Sequence, residues 1–495
     1  MITTTLAAAM AAQTFTLTIL HTNDIHAHVE PTAIRGKTYG GYARAATLIR
    51  RYRATDPNPI VLNAGDTFQG TLYYNVYKGL ADAHLMNLTG YNAMALGNHE
   101  FDDGPAGLLP FAQSTSFPLL CANMDFTGEP FLKNWIKPST VLTIGGQRIG
   151  LIGLMTPDLF EISSPGERLK MIDIDQALSS EVNKLKSQGV NKIIAVTHIG
   201  YSTDIALAKR HPDVDVFVGG HSHSLLCETG AIPIANPAGG YPTKVGNTLV
   251  VQAWEWNKVL GRLKIVFDAA GNIKSVLDAK PILVDEAVPE DHAVKSAVDA
   301  FKKPIDNLGK EVVGETKGGL TRDTGPEMKM GNVIADAMLA YTVRNQTVAA
   351  FMNRGGVRSH IEPGPITYGE IIAAQPFGNT LVVLEATGTE IRDMLAVGAT
   401  KAGTVQVSKG FAYKIGAGGS ITSMTLNGNQ MVDNAKYRIV VNNFMARGGD
   451  GFTSLAEAKG YRVDTGLLDS EALIEYIKKN SPIDTPIEGR VTSSR

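Results

Sequence analysis

The chain has 495 residues, enough for two or three domains around a large core. Its 46 Lys and Arg nearly balance 48 Asp and Glu, with no basic tail or block of like charge, which argues against a nucleic-acid polymer or an anionic membrane as partner. No apolar run approaches the ~18 residues that span a bilayer, and two cysteines, Cys121 and Cys227, exclude a disulfide scaffold or a zinc finger.

Met1 to Gln13 is rich in Ala and Thr and ends Ala-Met-Ala-Ala-Gln, like the tail of a secretory signal with its small-residue cleavage site. It predicts an exported protein, periplasmic or secreted, whose signal is trimmed or partial. Short apolar runs follow at Thr16–Leu20, Ile60–Leu62, Ala93–Leu96, Pro118–Leu120, Ile193–Val196 and Val214–Val218, then Asn247–Gln252 and Arg262–Asp268. They read as strands. Gly41–Arg53 and Asp175–Gln188 carry apolar residues at helical spacing. This alternation over residues 14–285 predicts an α/β domain of two stacked sheets flanked by helices. Cys121 reads as a buried thiol, and its pairing with Cys227 is left open.

Near Glu286 the chain becomes polar and amphipathic, and Pro289–Leu308 predicts a connecting helix within 286–311, interrupted near Pro304. From 312 to 495 a second α/β unit is expected, with a helix at Gly331–Tyr341 and strands at Leu381–Leu384 and Tyr437–Val441. Gly416–Gly419 reads as a hairpin turn rather than a phosphate loop.

Five polar clusters each follow an apolar run of the first domain: Asp24-Ile25-His26, Gly65-Asp66, Gly97-Asn98-His99-Glu100, His198, and Gly220-His221-Ser222-His223. In a layered α/β fold the C-terminal ends of strands converge on a crevice. Carboxylate, amide and imidazole groups gathered there suit borderline-hard divalent cations, and two adjacent cations hydrolyse phosphate esters. A bridging ligand must hold the ions ~3.5–4 Å apart. Asp66, alone at a strand end with two oxygens, is the bridging candidate. Asp24 and His26 can turn toward one ion, the Asn98 carbonyl serves oxophilic ions, and His198, His221 and His223 complete the set. One aspartate after a strand is usually a turn cap, and one histidine usually a surface or core residue. Five clusters in order favour the metal reading.

The runs LHTNDIHAHVEP, NAGDTFQGT, MALGNHEFDDG, VTHIG and GGHSH resemble the calcineurin-like metallophosphoesterase superfamily, and most closely its 5′-nucleotidase branch of bacterial periplasmic and animal ecto-enzymes. The resemblance implies a four-layer α/β/β/α sandwich over residues 14–285. It implies two divalent ions, zinc or manganese with cobalt or magnesium as alternatives. Asp24, His26, Asp66 and His223 would surround one ion; Asp66, Asn98, His198 and His221 would surround the other. Some members carry an amide where His223 stands, which implies an altered metal preference. His99 and Asp102 would form a catalytic dyad, an imidazole oriented by a carboxylate toward the phosphate or the leaving oxygen.

NRGGVR (Asn353–Arg358), QPFGNTL (Gln375–Leu381) and FMARGGDGF (Phe444–Phe452) extend the resemblance to a C-terminal nucleotide-binding domain. It implies that Asn353 and Arg358 contact phosphate or ribose, with Arg354 contributing. Phe377 and Phe444 would sandwich the base, Asn379 would touch it, and Asp450 would hold the ribose hydroxyls. The chemistry agrees: a guanidinium fork matches phosphate oxygens, and aromatic stacking is worth ~1–3 kcal/mol per base. Where the family often has a further arginine before Gly331, only Arg322 and Lys329 stand here. Trp254 and Trp256 read as packing residues.

The expected activity is hydrolysis of nucleoside 5′-monophosphates, AMP or similar, to nucleoside and phosphate. A metal-activated water would attack in line, in a monomer or homodimer, with closure about the connecting helix. The same machinery could instead serve a pyrophosphatase for NAD, ADP-ribose or nucleotide sugars, or a 2′,3′-cyclic phosphodiesterase with 3′-nucleotidase activity. A catalytically silent nucleoside- or partner-binding protein is the reading from another class, and the filled ligand positions weigh against it.

Overall fold

Strand Phe15–Thr22 is buried along almost its whole length, so both of its faces need a cover. Leu17 and Ile19 join Ile60, Leu62, Ala93 and Leu120 against Ile149, Leu151, Ile194, Val196, Val216 and Val218. The two groups belong to different sheets. The first sheet runs Ile273–Leu283, Val259–Phe267, Phe15–Thr22, Pro59–Asn63, Ala93–Ala95, Leu119–Leu120, Ile136–Lys137. The second runs Thr243–Val245, Thr248–Gln252, Val216–Gly219, Ile193–His198, Gln147–Met155, Ser139–Ile144. Alternate residues of each strand face the core between the sheets, as the period of two requires.

The opposite face of the second sheet, with Ile152, Leu154, Ile193, Ala195, Phe217 and Val250, packs on Leu178, Val182 and Leu185 of helix Ile174–Ser187 and on Leu207 of helix Tyr201–Arg210. Helix Tyr42–Thr55 buries Ala45, Ala46, Leu48 and Ile49 and touches strand Pro59–Asn63 of the first sheet. The result is the helix–sheet–sheet–helix sandwich. Phe15–Thr22, Pro59–Asn63 and Ala93–Ala95 pair in parallel, as do Ile193–His198 and Val216–Gly219. Parallel pairing brings the ends of these strands to one edge of each sheet, where the segments that follow them carry four of the polar clusters and strand Ile193–His198 ends on the fifth, His198.

The computed structural model describes residues 14–493 apart from Arg35, Ser164 and Pro376, so the signal-like segment Met1–Gln13 lies outside the described residues. Among them, no helix is long and apolar enough to cross a membrane. Cys121 and Cys227 are both free and buried.

Helix His292–Gly309 runs through Pro304 instead of breaking near it. The proline removes only the bond its nitrogen would have given to the carbonyl one turn back, and Val294 and Val298 stay buried in the earlier turns. The chain divides into two compact units between Lys302 and Lys303, inside this helix.

The second unit holds a mixed sheet ordered Gln406–Val407, Ala349–Met352, Lys436–Asn442, Thr380–Thr387, Arg462–Leu468. Helices Lys329–Thr342 and Asp469–Asn480 touch each other, and helix Gly388–Val397 starts on a Thr387–Glu390 capping box. Phe351, Val382, Leu384, Ile391, Leu395 and Val441 share one core with Phe411 and Met424. The Gly416–Gly419 segment joins the antiparallel strands Phe411–Ile415 and Ile421–Leu426, so it is a hairpin turn.

Candidate metal centre

The polar clusters leave their strands through conformations that most side chains resist. Asp24, His26, Asp66, His221 and His223 all have φ between 48° and 77°. Such residues cost of order 1–3 kcal/mol each and persist only where the surroundings over-determine them. Here the surroundings are other loops. The Asp24 and His26 N–H groups donate to the carbonyls of Gly65 (2.9 Å) and Asp66 (3.0 Å). The buried Glu100 carboxylate accepts the N–H groups of Asp66 (3.0 Å), Thr67 (2.6 Å) and Gly97 (2.6 Å). Gly65 is needed as glycine: its φ is 89°, and a Cβ there would lie 2.6 Å from His198 Nδ1.

The seven residues expected as ligands come together. Asp24, His26 and His223 offer ligand atoms within 4.8 Å of one another, and so do Asp66, His198 and His221. Asp66 also groups with His26 and His99, so it stands between the two sets. Asn98 Oδ1 lies 2.9 Å from His221 Nδ1, which adds the amide to the second set.

The ring tautomers fit metal ligation. His26 Nδ1–H donates to the Phe68 carbonyl (3.0 Å) and His198 Nδ1–H to the Ala64 carbonyl (2.6 Å). Each therefore turns an Nε2 lone pair inward. His198 Nε2 is buried without a well-formed hydrogen bond, although Asp66 Oδ2 lies 3.0 Å away. His26 Nε2 faces His223 Nε2 at 3.0 Å, and His223 Nε2 faces Asp24 Oδ1 at 3.2 Å. Acceptors facing acceptors need a cation between them. A proton is one answer: against the lowering effect of burial, Asp66 raises His198 and Asp24 raises His223, each to about 9. Divalent ions answer for all these groups at once, which is the donor set that neutral imidazoles and carboxylates provide. Burial pushes His26 down to about 3, keeping its ring neutral.

His99 and Asp102 sit beside the cluster. His99 Nδ1 is 2.6 Å from Asp102 Oδ2, and His99 Nε2 is 4.0 Å from Asp66 Oδ2. The Ser163 hydroxyl lies 2.7 Å from the other Asp102 oxygen, an orienting contact that the sequence did not reveal. Two further carboxylates escaped the sequence reading. Glu100 stands in the third cluster, where its position was the available signal. Glu255 accepts from His223 Nδ1 and from the Lys258 ammonium.

In the second unit, Asn353 Nδ2 donates to Asp450 Oδ2 (3.0 Å), and Asp450 holds a left-handed φ of 57°. The Arg358 guanidinium donates to the Gly355 carbonyl (3.2 Å) and lies 5.6 Å from the centroid of the Phe377 ring. The Phe444 ring lies over Gly449, next to Asp450. Phe377 and Phe444 are 39% and 43% exposed, unusual for phenylalanine. Arg354 is occupied differently: it donates to the carbonyls of Asp323 and Gly325 and to Thr404. The backbone carbonyl of Asn379 accepts the Asp469 N–H at 2.9 Å.

Residues 17–225 match the calcineurin-like phosphoesterase family, and residues 312–457 match the 5′-nucleotidase C-terminal domain. The chain is 39% identical to a 5′-nucleotidase of Diplobatis ommata over 97% of this chain and 90% of the relative. It resembles the crystal structure of a 5′-nucleotidase precursor from Thermus thermophilus at 42% identity and a TM-score of 0.68, covering 97% and 99% of the two chains. It resembles an NAD nucleotidase of Haemophilus influenzae at 27% identity and a TM-score of 0.76, covering 98% and 100%.

Proposed function

The chain belongs to the 5′-nucleotidase family, with a calcineurin-like phosphoesterase domain followed by the family's C-terminal domain, and on that premise we propose how its residues divide the reaction. It is a metal-dependent phosphoric monoester hydrolase that converts nucleoside 5′-monophosphates to nucleoside and phosphate. The observation that carries the assignment of roles is the position of Asp66 between two groups of ligand atoms.

Asp24, His26, Asp66 and His223 hold one divalent ion; Asp66, Asn98, His198 and His221 hold the other. When bound, the pair supplies an activated water and offsets the charge that builds on the phosphoryl oxygens. Zinc or manganese suits this mixture of imidazole, carboxylate and amide oxygen. His99, oriented by Asp102, contacts the phosphoryl or leaving oxygen. In the second unit, Arg358 and Asn353 bind phosphate or ribose, Asp450 holds the ribose diol, and Phe377 and Phe444 stack the base. Arg354 clasps the loops that carry Asp323 and Gly325, as its bonds to their carbonyls support, and Asn379 touches the base.

A phosphate-release panel over AMP, ADP, ATP, NAD and 2′,3′-cyclic AMP tests the reading. After exhaustive chelation, activity on AMP falls to background, and zinc or manganese restores it as two ions bind per chain. Activity that persists in demonstrably metal-free protein would remove the assignment. Phe377→Ala and Phe444→Ala each raise KM for AMP by about 5- to 150-fold with kcat little changed, following ~1–3 kcal/mol per stacked base. An unchanged KM in both variants would place the base elsewhere.

The resemblance to an NAD nucleotidase favours a second reading, pyrophosphate cleavage of NAD on the same metals; faster turnover of NAD than of AMP in the panel would select it. We also place the enzyme outside the cytoplasm, a reading supported by the small-residue pattern of Met1–Gln13 and by the precursor among its structural relatives. Cell fractionation with N-terminal sequencing of the mature protein checks it.

A further inference from the structure

Of the imidazoles assigned as ligands, His26 and His198 rest on neutral acceptors, the carbonyls of Phe68 and Ala64. His223 differs. Its Nδ1–H donates to a carboxylate, Glu255 Oε2. Glu255 in turn accepts from Lys258 Nζ, and Lys258 is only 2% exposed. The ammonium lies 3.6 Å from the Trp254 ring centroid and 4.3 Å from that of Trp256. Trp256 also stacks on His28, with centroids 4.1 Å apart and planes 9° from parallel.

The loop is held under strain. Trp254, Trp256 and Asn257 have φ of 61°, 58° and 54°, conformations that bulky residues rarely adopt. It is lashed to both neighbouring ligand loops. The Trp256 N–H donates to the Asp24 carbonyl (2.8 Å), and the Trp254 N–H donates to the Ser224 carbonyl (3.2 Å). A buried ion pair is seldom more stable than apolar packing of the same volume, and strain concentrates where position matters. Packing alone explains neither the buried lysine nor the carboxylate.

We propose that Glu255 is the positioning residue for His223, fixing its tautomer and ring direction, while Lys258 in its tryptophan box holds the Glu255 carboxylate in place. This rests on the reading of His223 as a ligand. Carboxylate-backed histidines are more basic ligands, and losing such a partner weakens metal binding by about 10- to 100-fold. The ion beside Asp24, His26 and His223 therefore has a ligand reinforced by a carboxylate.

The test measures the two successive Zn²⁺ dissociation constants by competition with a chromophoric chelator, in the full-length protein, in Glu255→Gln and in Glu255→Gln/Lys258→Met. The double variant leaves no unpaired ammonium in the box, which guards against a folding defect. In both variants one constant weakens by about 10- to 100-fold while the other moves by less than about threefold. The Co²⁺ absorption bands change for one ion equivalent only. Both constants unchanged, or both weakened alike, would overturn the positioning role while leaving the two-ion reading intact. A wild-type protein that binds no pair of ions would overturn that reading and this inference with it.

Discussion

Asp66→Asn lowers kcat/KM for AMP by about 10⁴-fold, equivalent to ~5.5 kcal/mol of transition-state stabilisation. The size of the effect follows from where the carboxylate stands. Asp66 Oδ2 lies 3.0 Å from His198 Nε2 and 3.8 Å from His26 Nε2, and the two rings belong to different ligand groups. Burial by itself would raise this carboxyl; the His198 and His99 rings hold it well below the usual range, so the charge is present wherever the enzyme works. An amide keeps the volume and keeps an oxygen for the His99 N–H, which now donates to Asp66 Oδ1 at 3.0 Å. It loses the charge and the second oxygen, so it cannot bridge two cations. The loss should therefore appear in metal content before it appears in the fold. Metal analysis gives fewer than two ions per chain, and the rise in Tm on adding zinc shrinks, because a ligand stabilises only through its affinity for the native state. Full activity with two ions retained would show that Asp66 does not bridge.

Much of this site was legible because its parts are local. A strand, then a turn, then a ligand is a pattern of four to eight residues, and four of the five clusters repeat it, while His198 is the last residue of its own strand. Parallel pairing then brings the loops together, as an α/β reading implies. What escaped was the layer behind the ligands. Glu255 reaches His223 across 32 positions of sequence, through a strand and a strained loop, and nothing in WEWNK announces a carboxylate aimed at an imidazole. Glu100 was visible in its cluster, but its four backbone partners, Asp66, Thr67, Phe68 and Gly97, exist only once the loops have met. Pro304 misled in the opposite direction: a rule about helix interiors predicted an interruption, and the helix continued at the loss of one bond. In the second unit, the resemblance set Arg354 beside Asn353 as a contributor to phosphate binding. Its bonds to Asp323 and Gly325 show a guanidinium can equally serve as a clasp between loops.

His99→Asn lowers kcat on AMP by about 10²- to 10⁴-fold, the range for losing a positioned proton-transfer group, with KM and metal content little changed. The residue touches the cluster without belonging to either assigned coordination sphere. Its ring packs edge-on to His26 with centroids 5.1 Å apart, and its Nδ1 is committed to Asp102. That bond fixes the direction of the ring, whose Nε2 lies 4.0 Å from Asp66 Oδ2 beside the ligand groups. The backbone N–H of residue 99, which supports Asp66, survives the substitution. Asp102→Asn should cost less, about 10- to 100-fold, because an amide oxygen still accepts from Nδ1–H and only the charge is lost. Its other oxygen faces the Ser163 hydroxyl, so the ring stays oriented. The choice of substrate separates two roles for His99. If it protonates the leaving oxygen, p-nitrophenyl phosphate, whose phenolate leaves without help, suffers far less than AMP. If it stabilises the phosphoryl oxygens, both substrates suffer alike. Normal turnover of both substrates by His99→Asn would exclude the residue from the chemistry altogether, and loss of metal in that variant would make it a ligand instead.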